Sequence, residues 1–200
     1  MKFKQGQLDK KGGERVNHIG KAATMLFHKK GYLEASMDDI AHAAMMSKGG
    51  VYHYFASKDE ILYFILNNYM DIILGDLEEE LKEIEKAHLK IQFVISRHIE
   101  IYTKHISESK TLLHEAHCLP SKYLDIIAEK ERKYYRIVAD VLSGFFENQI
   151  QKDKLIGITF LLFGMCNGIY FWYNPKGPLD PTELSDIIFN MFLHGLNTFK

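Results

Sequence analysis

The chain has 200 residues, 46% of them hydrophobic, with four prolines and two cysteines. That supplies a core for one large domain or two small ones, and it argues against long disordered stretches and a disulfide framework. The net charge of -1 hides an asymmetry: residues 1–60 hold ten Lys or Arg against seven Asp or Glu, so the basic part leads and the acidic part follows.

Such an order suits a nucleic-acid reader joined to a separate body. Met1 opens a polar, lysine-bearing stretch, and Cys118 and Cys166 offer no disulfide framework. The expectation is a soluble, reduced, cytoplasmic protein.

Residues 1–13, with Lys2, Lys4, Lys10, Lys11 and Gly12-Gly13, read as a flexible basic arm. From Glu14 to Lys30, the spacing of Val16, Ile19, Ala22, Ala23, Leu26 and Phe27 predicts a helix, stopped by Gly31. Ser36 caps the next helix with Asp39 three residues on, although Glu would close a capping box better. Ser47 caps a second short helix whose Val51 and Phe55 turn inward. Ser57 and Glu60 form a capping box that opens a long helix through Ile61, Phe64, Ile65, Tyr69, Ile72 and Leu77.

Further on, Leu89 to Ile106 is amphipathic, with a stripe at Ile91, Val94, Ile95, His98, Ile101, Tyr102 and His105. A shorter helix opens at Ser109 or Thr111 and ends before Pro120. Residues 121–150 form another long helix. Lys152 or Asp153 starts the most apolar helix, which runs to Asn174-Pro175, and Asp180-Pro181 caps the last one. No strand pattern appears, so the fold class is all-α, with about nine helices.

The two short helices, Met37 to Ala44 and Lys48 to Tyr54, are joined by a three-residue turn, which is the helix-turn-helix layout. The second would enter a DNA major groove with its N-terminal residues toward the bases. Ile19 to Leu62 resembles the tetracycline-repressor (TetR) family of transcriptional regulators. The resemblance is carried by Ala22-Ala23, Leu26-Phe27, Gly31-Tyr32, Ser36-Met37, Ile40-Ala41, Ser47-Lys48-Gly49, Val51-Tyr52-His53-Tyr54-Phe55 and Ser57-Lys58-Asp59-Glu60. Two residues depart from the family pattern: Met45 stands where glycine is usual in the turn, and Gly20 where an apolar residue is usual. A positive φ at Met45 costs stability, so a reshaped turn is expected there.

The resemblance implies a three-helix DNA-binding domain over residues 14–57 and a ligand-binding and dimerisation domain over 58–200. It implies DNA contacts at Ser36, Met37, Ser47, Lys48, Gly49, Gly50, Tyr52, His53, Tyr54 and Lys58, with Ser36 and Lys58 on phosphates. It further implies that the last two helices pair with those of a second copy, through Gly157, Leu161, Gly164, Gly168, Ile188 and Phe192. The partners are then a palindromic double-stranded operator, a second copy of the chain and a small hydrophobic effector.

Polar and aromatic residues on otherwise apolar stripes are candidates to line the effector cavity: His98, Tyr102, His117, Thr159, Cys166, Asn167 and Tyr170. The segment Trp172 to Leu179 resembles a subgroup of these regulators that responds to acyl-coenzyme A thioesters. Leu155 to Tyr173 is apolar enough to span a bilayer, but Thr159, Asn167 and its glycines favour a helix buried on two sides, so no membrane partner is expected. His114, His117 and Cys118 fall short of a structural zinc ligand set, and no metal or cofactor is expected. The rival from another class is an all-helical lipid carrier or enzyme without DNA binding. Against catalysis, there is no phosphate loop, nucleophile motif or carboxylate pair.

Overall fold

The structure, a computed structural model, describes residues 10–198. In chain order the helices are α1 (Lys10–Lys30), α2 (Met37–Ala43), α3 (Lys48–Tyr54), α4 (Lys58–Leu74), α5 (Leu77–Lys82), α6 (Ala87–Lys104), α7 (Ile106–Glu115), α8 (Ser121–Phe145), α9 (Lys152–Gly168) and α10 (Pro181–Asn197). Single 3₁₀ turns follow α7 at Ala116–Cys118 and α9 at Ile169–Phe171. Among the described residues there is no strand.

All nine expected helical segments are present, and the fourth is divided at Gly75 (φ 25°) into α4 and α5. Helix α1 begins at Lys10, so Lys10 to Gly13 are helical, not part of an arm; residues 1–9 of the expected arm lie outside the described residues. Helix α8 stops at Phe145, short of residue 150, because Glu147 (φ 52°) and Asn148 (φ 62°) turn left-handed.

Packing divides the chain into two units: residues up to Asp71 together with Ser107–Glu129, and Ile72–Ile106 together with residues from Lys130 onward. The expected cut between residues 57 and 58 therefore does not follow the packing. The first unit holds α1 to α3, most of α4, nearly all of α7 and the first part of α8, up to Glu129.

In the first unit, Gly31 ends α1 in the left-handed conformation (φ 86°), its N–H donating to the Phe27 carbonyl at 2.8 Å. Val16, Ile19, Ala23, Phe27, Ile40, Ala41, Val51, Phe55 and Ile61 are buried. Full burial of each large aliphatic side chain stabilises by roughly 1.5–3 kcal/mol. Residues 107–129 join this unit by specific bonds. Tyr69 and Ser109 share a hydroxyl hydrogen bond, the Tyr32 N–H donates to Glu115 Oε1 at 3.2 Å, and Tyr123 stacks on Tyr63 at 4.5 Å between centroids.

In the second unit, α6 lies along α10. Ile91, Val94, Ile95 and Ile99 of α6 share a core with Val138 and Leu142 of α8, Ile158 and Leu162 of α9, and Leu184 and Ile188 of α10. Helix α10 starts as its sequence dictates. Asp180 Oδ1 accepts from the N–H groups of Thr182 (2.8 Å) and Glu183 (2.9 Å), and Pro181 occupies the first helical position.

Candidate nucleic-acid interface

Two caps aim the short helices. At α2 the Ser36 hydroxyl accepts from the Asp39 N–H (3.1 Å), and Asp39 Oδ2 accepts from the Ser36 N–H (2.9 Å) and hydroxyl (2.7 Å). Asp39 thus completes the capping box, in a place that Glu fills more often. Lys30 adds an ion pair at 2.9 Å. The bonds from Ser36 first, then Lys30, hold the Asp39 carboxyl well below the usual carboxylate range. In this state the Ser36 hydroxyl proton points at Asp39, so phosphate contact at Ser36 requires that proton to turn outward.

At α3 the Ser47 hydroxyl accepts from the Gly50 N–H at 3.1 Å. Val51 and Phe55 are fully buried, and α3 packs against α2, whose Ile40 and Ala41 are buried too. The opposite face is therefore presented outward: Lys48, Gly49, Tyr52 and His53 are exposed, while Gly50 and Tyr54 are partly so. His53 and Tyr54 meet edge to face at 4.9 Å. A Cβ on Gly49 would meet nothing within 4 Å, so this backbone stands open to an approaching molecule.

The α2–α3 turn keeps its glycine-like geometry although it carries methionine. Met45 adopts φ 50° and is 87% exposed, so the turn is strained in place and not reshaped as expected. Gly20 meets the ring of Phe64: a Cβ there would lie 2.7 Å from Phe64 Cε1.

Two of the expected cations are engaged within the protein. Lys48 pairs with Asp38 at 2.8 Å, and this carboxylate raises the lysine pKa. Lys58, expected as a phosphate clamp, donates to the carbonyls of Tyr32 (2.7 Å), Ala35 (2.7 Å) and Leu33 (3.2 Å), and its ammonium lies 4.3 Å from the Tyr32 ring centroid. Those three carbonyls take all three of its donors, so it holds the turn before α2 rather than an outside anion. The Ser57–Glu60 box is half formed: the Ser57 hydroxyl accepts from the Glu60 N–H at 3.3 Å, but Glu60 Oε2 accepts from the Ala56 N–H at 2.8 Å and not from that of Ser57.

The effector candidates separate by unit. In the second unit His98 of α6 bonds Asn167 Oδ1 of α9 through Nε2 (3.0 Å) and the Tyr134 hydroxyl of α8 through Nδ1 (3.0 Å). Burial pushes the His98 pKa down to about 4, so the imidazole is neutral at physiological pH. Tyr134 was missed because it adjoins the charged run Lys130 to Lys133, where no apolar stripe marks it. Phe163 packs on both His98 and Tyr134. Tyr102 is buried beside this group in the core and Tyr170 is half-buried.

Three other candidates do not form an open lining. Thr159 is fully buried and donates to the Leu155 carbonyl of its own helix at 2.7 Å. Cys166 is sealed in the core, its thiol pushed up to about 12 by burial. His117 lies in the first unit, exposed, with Nε2 3.5 Å from Cys118 Sγ.

On α9, Gly157, Leu161 and Gly164 are exposed and line a shallow groove with Phe160 and Met165, while Gly168 is half-buried. On α10 the expected seam is one residue out of register. Ile188 and Phe192 are buried in the protein's own core, and Ile187 (43% exposed) and Met191 (66%) face outward. Lys152–Phe171 is long and apolar enough to cross a membrane by length and composition, with a mean hydropathy of 1.5.

Residues 19–63 match the family of bacterial regulatory proteins of the tetR type, and residues 85–196 match the tetracyclin repressor-like C-terminal domain. Over 194 residues the chain is 22% identical to the HTH-type transcriptional repressor KstR2 of Mycobacterium tuberculosis, covering 96% of this chain and 95% of that protein. A TetR-family regulator from Bordetella parapertussis superposes with a TM-score of 0.85 at 27% identity, over 89% of this chain and 93% of that one. AibR, crystallised with isovaleryl coenzyme A and operator DNA, superposes with a TM-score of 0.78 at 26% identity, over 88% of this chain and 97% of its own.

Proposed function

Since this chain belongs to the TetR family of bacterial transcriptional regulators, we propose that it is a cytoplasmic repressor that grips a palindromic operator as a dimer and lets go when an acyl-coenzyme A thioester binds its helical body. The observation that carries the reading is the α3 face: Val51 and Phe55 are buried, and Lys48, Gly49, Tyr52 and His53 are turned outward. Its work is recognition rather than catalysis.

Ser47, Lys48, Gly49 and Gly50 bring the N-terminal end of α3 to the base edges, and Tyr52, His53 and Tyr54 reach phosphates and bases along the groove. Ser36 and Met37 meet the backbone at the start of α2 once the Ser36 hydroxyl turns from Asp39. One such helix reads only a few base pairs, so a two-fold dimer reads two half-sites about 34–36 Å apart. The exposed Phe160, Leu161, Ile187 and Met191 supply an apolar surface that a second copy covers. Covering it also explains an apolar α9 without a bilayer.

For the effector, support comes from AibR, whose bound ligand is isovaleryl coenzyme A, and from the neutral His98–Asn167–Tyr134 group in a largely apolar body. Uncharged hydrogen-bonding groups set among aromatic rings suit a carbonyl on an apolar chain. The effector shifts DNA binding only by its differential affinity for the two states of the protein.

Fluorescence anisotropy of a selected operator duplex tests both halves. Tyr52→Ala weakens binding with the fold intact, and short or branched acyl-coenzyme A thioesters release the wild-type chain. Operator binding that ignores Tyr52→Ala and every thioester chain length contradicts the reading.

A further inference from the structure

The cations that border the helix-turn-helix are not equally available. Lys30 is paired with Asp39 and Lys48 with Asp38, and Lys58 is bound to three carbonyls. Lys11 and Arg15 of α1 differ. Both are exposed, and among the described residues neither has a hydrogen bond or an ion pair.

They stand four residues apart on one helix, hence on one face with Cβ atoms about 5–6 Å apart. They share a surface groove with Glu14, His18, Met45 and Met46. The groove is built and not incidental. His18 Nε2 bonds the Ala44 carbonyl at 2.9 Å and so fixes α1 against the end of α2. Met46 directly precedes Ser47, the cap of α3, so Lys11 and Arg15 stand at the end of α3 that faces the bases in the proposed reading.

We propose that Lys11 and Arg15 form a phosphate-binding edge beside the helix-turn-helix, gripping the DNA backbone next to the groove that α3 enters. The inference rests on the DNA-reading function above. The occupant is the duplex backbone because the cations are unpaired among the described residues, adjacent and continuous with the reading helix, and a polyanion complements them. Guanidinium and ammonium both donate to phosphate oxygens, and Arg15 can do so with two parallel bonds. Among the described residues Glu14 is the one carboxylate lining the groove, and it opposes the same contact.

The test uses the full chain, an operator duplex selected from a random pool, and a random-sequence duplex of equal length, titrated by anisotropy between about 50 and 200 mM KCl. Each lost phosphate contact lowers the slope of log K against log salt by about 0.9. The Lys11→Gln/Arg15→Gln variant therefore loses close to two units of slope and weakens on both duplexes by the same factor, with an unchanged melting temperature. Glu14→Gln tightens binding to both duplexes. A double variant that keeps the wild-type slope overturns the inference. So does a loss confined to the operator, which signals base reading, or tighter binding to an acidic protein than to either duplex. A wild-type chain that holds no duplex overturns the function it rests on.

Discussion

Asp38 holds Lys48 at 2.8 Å on the surface that carries α3. The ion pair joins the start of α2 to the start of α3 and sets a carboxylate against an ammonium that the proposed reading brings to the duplex. Both partners are exposed, so the pair contributes little to stability. Asp38→Asn therefore leaves the melting temperature nearly unchanged and raises affinity several-fold for any duplex, because it frees Lys48 and removes a like charge from the phosphates. Equilibrium binding to operator and random duplexes checks it; weaker binding would show that Asp38 orients Lys48 and does not compete for it.

Lys58 and Tyr32 lead to a prediction opposite to that of a phosphate clamp. Lys58→Met strips the donors from the carbonyls of Tyr32, Leu33 and Ala35. At the typical worth of charge-assisted bonds, discounted for partial exposure, the loss is about 2 kcal/mol. Thermal unfolding shows the lower stability, and the salt slope of DNA binding stays as in the wild type. A clamp would give the reverse pattern.

Gly20 and Phe64 set a volume constraint inside the first unit. Alanine at position 20 favours the helix by about 1 kcal/mol, but its Cβ meets a buried ring, and overpacking costs about 1–3 kcal/mol. Gly20→Ala is thus neutral to destabilising alone, and it becomes stabilising in a Phe64→Leu background. A double-mutant cycle on unfolding free energies measures the coupling.

His98 ties stability to pH. Its folded pKa is depressed to about 4 from an ordinary value of 6.5, so between these values the unfolded chain binds a proton that the folded chain does not. Stability then rises with pH through that window and is lost as pH falls from about 6.5 toward 4, by about 1–3 kcal/mol. His98→Gln flattens this part of the profile. Denaturant unfolding at graded pH tests it, and parallel profiles for the two proteins would contradict it.

Much of the fold is written locally. Ser36, Ser47 and Asp180 each cap the helix their spacing announces, and Gly31 stops α1 through a bond to Phe27. These signals lie within one turn of the residues they control. The α10 register does not, because Ile187, Ile188, Phe189, Met191 and Phe192 put apolar groups on every side and periodicity cannot choose between faces. The part played by Lys58 depends on carbonyls 23 to 26 residues away. Likewise, the union of residues 107–129 with the first unit rests on Glu115 and Ser109 meeting partners far along the chain. Long-range geometry of this kind leaves no periodic trace.

The most direct measurement is selection of duplexes from a random pool by the full chain, repeated with Tyr52→Ala. The wild type should enrich one two-fold symmetric site whose half-sites are spaced by a whole number of helical turns, about 10–10.5 base pairs each, and the variant should lose that enrichment. Recovery of no preferred site, or of the same site by both proteins, would contradict the claim that the outer face of α3 reads DNA.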